Sequence, residues 1–250
     1  MPPRRSQFPE QAIDWMVGGA SHVRVLNLGG SPSLPRLLAH RRHTVMAIDK
    51  DLERVEQLAS RPDLIAIAAE AEGLPFDPCQ FDVVTAHQVF HRFAPGLVLS
   101  EMARVLRPGG MASVSYLVRD DTVPWVKRLI SLLRQVDDQA MRGDYGDDSV
   151  EALLTSKYFP EHESRSFRVW QGITRDQMLA MVANQPAVAA LDDDLRQMVL
   201  DDARSLYDDA RPGADDLKLP YQLKVWRAHV DHEELTAPIE IDDTGLVIPL

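Results

Sequence analysis

A single cysteine, Cys79, stands in this 250-residue chain, so an internal disulfide is excluded. One thiol agrees with a reducing compartment, and the cytoplasm is the expected location. Long apolar runs are missing as well. No stretch reaches the ~18 residues of a membrane span, and the start Met1-Pro2-Pro3-Arg4-Arg5-Ser6 lacks the apolar core of a signal peptide. Basic charge is in deficit, with 27 Lys and Arg against 38 Asp and Glu and a net charge of -11. That balance argues against a nucleic-acid backbone as the main partner. The histidines lack metal-ligand spacing: His40 and His43 flank two arginines, and His229 and His232 sit in an acidic tail, so no bound metal is expected. Internal repeats and a dividing linker are absent too, so residues 1–250 read as one domain ending in an acidic tail over 231–250.

What is present is a regular alternation in the first half. Apolar runs at Val23–Leu28, Thr44–Ile48, Leu64–Ala68, Phe81–Ala86 and Met111–Tyr116 are short and β-branched enough to be strands buried on both faces. Helical stretches at Leu34–His40, Leu52–Ser60 and Pro95–Leu106 separate them. The third stops at Arg107-Pro108-Gly109-Gly110, and Asp51 is placed to cap the second. A further helix at Pro9–Val17 is expected against the sheet edge. Strands alternating with helices imply a parallel, doubly wound α/β sheet.

The second half is more helical. Val123–Val136 has helical spacing, and Gly143-Asp144-Tyr145-Gly146-Asp147-Asp148 reads as a loop. Phe167–Trp170 and Gln222–Ala228 read as strands, Leu195–Ala210 as a helix, and Thr174–Asn184 as a helix with a Thr174–Gln177 capping box. Trp125, Tyr145, Trp170 and Tyr221 either line an apolar pocket or form core.

Chemistry concentrates at the first strand's exit, Asn27-Leu28-Gly29-Gly30-Ser31-Pro32-Ser33. Glycine there permits a sharp turn that aims backbone amides at a ligand. Ser33 is placed to cap the following helix. Asp49 ends the second strand, twenty positions after Gly29, a spacing that suits a βαβ unit gripping a ribose diol. Asp51 fills the capping role better, which leaves Asp49 free for a ligand. Glu70, after the third strand, either accepts a proton from an adenine amino group or is solvated. A nicotinamide-dependent dehydrogenase would also use Asp49, but Gly29, Ser31 and Leu34 miss the dinucleotide fingerprint.

Three stretches in order resemble successive motifs of class I S-adenosylmethionine-dependent methyltransferases: Glu70-Ala71-Glu72-Gly73-Leu74-Pro75-Phe76, Phe81-Asp82-Val83-Val84-Thr85-Ala86-His87-Gln88, and Arg104-Val105-Leu106-Arg107-Pro108-Gly109-Gly110. The branch most similar is the small-molecule type 11 group, related to ubiquinone/menaquinone and trans-aconitate methyltransferases. The likeness covers roughly residues 8 to 228. It implies a mostly parallel, Rossmann-like seven-stranded sheet with a helical cap insert from about 121–160 and 190–212. It implies S-adenosyl-L-methionine as cofactor and a small-molecule methyl acceptor as partner. Asn27, Gly29, Gly30 and Ser31 would face the methionine part, Asp49 the ribose, Glu70 and Ala71 the adenine, and His87 and Gln88 the methionine end. His91 is the candidate general base, with an ordinary loop histidine as the alternative.

The chain departs from the family pattern of an acid followed by alternating glycines. Asn27 lacks the charge that attracts the cofactor's ammonium, and Ser31 and Ser33 carry Cβ atoms where glycine is usual. The family's frequent His-Trp is His91-Arg92 here. Those departures motivate a second hypothesis, a catalytically degenerate fold with a binding or regulatory role. The site survives if the serines leave the crevice open and no arginine consumes Asp49.

Overall fold

The computed structural model describes residues 8–138, 150–211, 216–236, 241–242 and 245–246. It forms two compact units. One comprises the described parts of Phe8–Tyr116, Gly146–Ser166 and Lys224–Leu250. The other comprises those of Leu117–Tyr145 and Phe167–Leu223.

In the first unit the apolar runs become β1 (Arg24–Leu28), β2 (Thr44–Asp49), β3 (Ile65–Ala68), β4 (Phe81–His87) and β5 (Leu106–Arg119). With β6 (Glu161–Ile173) and β7 (Leu217–His229) they form a seven-stranded mixed sheet in the order β3-β2-β1-β4-β5-β7-β6. The β2–β3, β1–β2, β1–β4 and β4–β5 pairs are parallel. Helices α1 (Glu10–Met16), α2 (Ser33–His40), α3 (Leu52–Ala59) and α4 (Pro95–Val105) flank the sheet. Short α6 (Glu151–Leu154) belongs to the same unit. Central β1 is buried from Val25 to Leu28, as the unbroken apolar run requires, whereas edge strand β3 leaves Ile65 half exposed. Strand order reverses between β1 and β4. In an open α/β sheet that reversal opens a crevice beyond the strands' carboxyl ends, and the site follows from it.

Three local expectations change. Arg107-Pro108-Gly109-Gly110 does not sit outside the sheet but within a longer β5. The register jumps from Phe81↔Leu106 to Val83↔Met111, and Gly109 at φ 76° absorbs the bulge. Ser33 does not cap α2: it is the first helical residue, and the turn before it is held by Ser31 Oγ, which accepts from the Ser33 N–H at 3.3 Å. The C-terminal end of α1 meets interior strands rather than the sheet edge. The Arg227 guanidinium on β7 lies 4.2 Å from the Trp15 ring centre and donates to the Trp15 carbonyl at 2.8 Å. Asp51 does cap α3, accepting from Glu53 N–H at 3.0 Å.

The second unit is built from α5 (Pro124–Arg134), α7 (Arg175–Ala183), α8 (Pro186–Ala189) and α9 (Asp193–Ala210). Apolar positions at helical spacing, among them Val126, Leu129 and Leu133 on α5, pack against Met178, Val182 and Tyr207. The Thr174–Gln177 capping box forms, and Asp192 caps α9 through Leu195 N–H. Trp125 belongs to this core, Tyr221 packs against it, and Trp170 is 47% exposed beneath the Arg168 guanidinium. The loop 143–148, with Tyr145, lies outside the described residues, as does much of the acidic tail. Among the described residues no helix is long and apolar enough to cross a membrane, and no His, Cys, Asp and Glu group could hold a metal.

Candidate cofactor cavity at the strand switch

The crevice begins with backbone. Gly29 N–H donates to the Ile48 carbonyl at 2.8 Å, carrying the β1–β2 ladder one residue past the strand. The chain then turns through Gly29 at φ 55° and Gly30 at φ 83°. A Cβ on Gly30 would stand 2.7 Å from the His87 carbonyl oxygen and 3.1 Å from Val89 Cγ1, so only glycine fits. On Gly29 it would stand 3.7 Å from Asp49 Oδ2 and 4.0 Å from the end of the Phe93 ring.

Beside this turn lies a cavity of about 240 Å³. Gly29 and Gly30, Asp49, Glu70 with Ala71, and Val89 with Phe93 line it, and Ile48, Lys50, Arg54, Ala69, Glu72 and Arg92 complete the wall. It is smaller than the ~300 Å³ at the low end of small-molecule sites, so it suits a part of a ligand, of nucleoside size. Asp49 is 8% exposed. Its Oδ1 accepts from Asp51 N–H at 2.9 Å, and Arg54 Nη1 lies 3.5 Å from Oδ2. A carboxylate has about four lone-pair sites, so these contacts leave acceptor capacity for a diol. Arg54 is 44% exposed and also lies 3.5 Å from Asp51, a loose arrangement of small energetic weight.

The turn residues divide. Ser31 and Ser33 pair through their hydroxyls at 2.9 Å and do not line the cavity. Asn27, nearly fully buried, donates its amide N–H to the Gly29 carbonyl at 2.9 Å and accepts from the Thr85 hydroxyl at 3.2 Å. It braces the turn from behind and is not part of the cavity wall.

Residues after β4 divide likewise. His87 is buried, its Nδ1 lies 2.9 Å from the Ser115 hydroxyl, and its ring meets Phe8 edge-on at 4.7 Å. Burial lowers its pKa to about 4 against a weaker opposing hydrogen bond from Ser115, so the ring is neutral. Its carbonyl, not its imidazole, reaches the glycine turn. Gln88 takes φ 61° and donates its N–H to the Ser115 carbonyl at 2.9 Å. His91, exposed on the 3-10 turn Phe90–Arg92, has Nδ1 3.1 Å from the Tyr116 hydroxyl, which also accepts the His91 N–H at 3.0 Å. Burial and then the Arg92 charge lower its pKa, favouring the neutral ring. His87, Gln88 and His91 are not among the residues lining the cavity.

The chemistry of this set fits an adenosyl group: a carboxylate at the β2 tip, a second acid after β3, and a backbone cradle that a Cβ at Gly30 would fill. Sequence reasoning missed Lys50, Arg54 and Phe93 as cavity residues. Arg54 looks like a solvent-facing α3 residue, and its one signal is a helical step of three from the cap Asp51. Phe93 lies just past the His91-Arg92 pair, so its register beside the turn needs the fold.

Residues 26–114 match a family model described as "Methyltransferase domain". An uncharacterized methyltransferase of Mycobacterium tuberculosis strain H37Rv is 29% identical over 221 residues, 87% of each chain. One from Schizosaccharomyces pombe is 29% identical over 137 residues, covering 52% of this chain and 55% of that protein. Among solved structures, a methyltransferase-named protein of Anaeromyxobacter dehalogenans shares the fold with a TM-score of 0.66 at 20% identity, over 90% of this chain and 97% of that one.

Proposed function

We propose that this chain, which matches a methyltransferase-domain family over residues 26–114 and is 29% identical to a methyltransferase-named relative over 87% of each chain, is a class I S-adenosylmethionine-dependent methyltransferase that holds the adenosyl part of that cofactor in the cavity beside Gly29 and methylates a small-molecule acceptor. The observation that carries the reading is Asp49, a buried carboxylate at the β2 tip with Oδ2 facing the Gly29 side of a nucleoside-sized cavity. Asp49 accepts from the ribose hydroxyls, Glu70 from the adenine amino group, and the Gly29–Gly30 backbone lies against the tail. When bound, the cofactor supplies an electrophilic methyl group on a sulfonium.

Little else is asked of the protein beyond placing the acceptor in line and excluding water. Where the acceptor must lose a proton, His91 is the base. Its lowered pKa keeps the imidazole neutral near pH 7. For Nε2 to accept a proton, Nδ1 must carry its hydrogen and donate to the Tyr116 hydroxyl. The reading places the enzyme in the cytoplasm with a small molecule, and not nucleic acid, as partner, in keeping with a net charge of -11.

A second reading, a binding or regulatory protein without catalysis, is favoured by one observation: both ends of the Asn27 amide are engaged within the chain. Isothermal titration separates the two. Heat is expected with S-adenosylmethionine and S-adenosylhomocysteine and none with NAD. Silence with both adenosyl compounds would leave only the second reading. Asp49→Ala is expected to weaken S-adenosylhomocysteine binding by about 1–3 kcal/mol.

A further inference from the structure

An amino-acid tail is recognised through its ammonium, its carboxylate, or both. At the glycine turn, Asn27 is neutral, and its amide is spent on the Gly29 carbonyl and the Thr85 hydroxyl. Positive charge for the tail's carboxylate can come only from the cations of the cavity wall, Lys50, Arg54 and Arg92. Arg54 is held between Asp49 and Asp51, 3.5 Å from each, and Lys50 follows Asp49 at the β2 tip. Both belong to the ribose side. Arg92 stands elsewhere. It ends the 3-10 turn Phe90–Arg92, is exposed, and lines the cavity with its neighbour Phe93. The Phe93 ring end lies 4.0 Å from the position a Gly29 Cβ would take, and Val89, three residues before Arg92, closes on Gly30. Arg92 is thus the wall cation whose neighbours Val89 and Phe93 meet the glycine turn, while Ala94 N–H, two residues on, donates to Glu72 at 2.9 Å, and among the described residues no carboxylate forms an ion pair with Arg92.

We propose that Arg92 binds the α-carboxylate of the cofactor's methionine tail, so that this chain recognises the tail by its carboxylate where Asn27 offers no charge to its ammonium. The inference rests on the adenosyl reading above and adds to it a tail contact on a residue outside the glycine turn. A guanidinium suits the task, since its paired N–H donors match the two oxygens of a carboxylate. Its position on a short 3-10 turn, anchored by buried Phe90, fixes the backbone while leaving the side chain free to reach the ligand.

The test compares two ligands that share the adenosine thioether and differ in the tail: S-adenosylhomocysteine and 5′-methylthioadenosine. Titrated into the full chain, Arg92→Gln is expected to bind S-adenosylhomocysteine about tenfold more weakly, a modest loss for a charge-assisted contact at an exposed side chain. It should bind 5′-methylthioadenosine within about twofold of the unsubstituted protein, because that ligand never reaches the guanidinium. Arg92→Lys should recover part of the loss as a point charge without the fork. Unchanged S-adenosylhomocysteine binding by Arg92→Gln, or equal losses for both ligands, would overturn the assignment and leave the adenosyl site standing. Failure of the unsubstituted chain to bind either ligand would remove both.

Discussion

The two sides of the crevice are built differently. On the β2–β3 side the proposed recognition groups are side chains: Asp49 at one strand tip and Glu70 after the next, both lining the cavity. At the exit of β1 they are backbone. Gly29 and Gly30 face the cavity, while Asn27, Ser31 and Ser33 hold the turn and take no part in the wall. A side-chain reader fails when its functional group changes. A backbone reader tolerates changed side chains as long as the turn keeps its path. That difference explains how a turn carrying serines keeps the crevice open: their hydroxyls point at each other.

The sharpest way to break this contrast is Gly30→Ala. Its Cβ would meet the His87 carbonyl at 2.7 Å in a left-handed conformation, so a stability loss of about 3 kcal/mol is expected in urea unfolding. Gly29→Ala, with 3.7 Å to Asp49 Oδ2, should cost only the backbone strain of about 1 kcal/mol while weakening S-adenosylhomocysteine in titration. Similar destabilisation by the two would mean that the turn is not divided as described.

A second test uses pH. His87 titrates near 6.5 when unfolded and at about 4 when folded. The unfolded chain therefore binds a proton that the folded chain refuses. The stability this group supports is whole above about pH 6.5 and declines as pH falls toward about 4, by about 3 kcal/mol in all. Urea midpoints measured at pH 7 and pH 5 should diverge less in His87→Gln than in the unsubstituted protein. An unchanged divergence would show that His87 is not held neutral behind the turn.

The smallest expected effect is at Arg54. Its contacts with buried Asp49 and exposed Asp51 are loose, at 3.5 Å each, and its own side chain is 44% exposed, so they are worth about 1 kcal/mol or less. Arg54→Gln releases Asp49 Oδ2 and should strengthen S-adenosylhomocysteine slightly, by about threefold at most. A loss of affinity would mean that Arg54 itself touches the ligand.

The fold was open to sequence reading wherever burial alone decides the pattern. Val25 to Leu28 of β1 form an apolar run because both sheet faces are covered, and Val126, Leu129 and Leu133 share one helix face because α5 buries only that side. The capping box at Thr174 was legible because it is a four-residue motif. The cap of α2 was not. Ser33 has the right chemistry, but Pro32 already sits in the helical region and starts the helix one residue early. The bulge in β5 was hidden because Pro108-Gly109-Gly110 reads locally as a stop, while the register with β4 is set by partners more than twenty residues away. Asp49 could be found by its spacing from Gly29. Whether a side chain such as Asn27 faces the ligand or the turn depends on Thr85 of a neighbouring strand, and no local pattern reports that.

The contact between Phe8 and His87 bears on what fragment of this chain can fold alone. The stretch that matches the family model begins at residue 26 and ends at 114, yet an aromatic ring upstream of it shields the imidazole behind the glycine turn. Farther along the same leading segment, Trp15 is clasped by an arginine from β7, more than two hundred positions downstream. A piece cut at the family boundaries would therefore expose His87 to water and lack both halves of the Trp15–Arg227 clasp. The smallest autonomous version has to carry both the leading helix and the late strand.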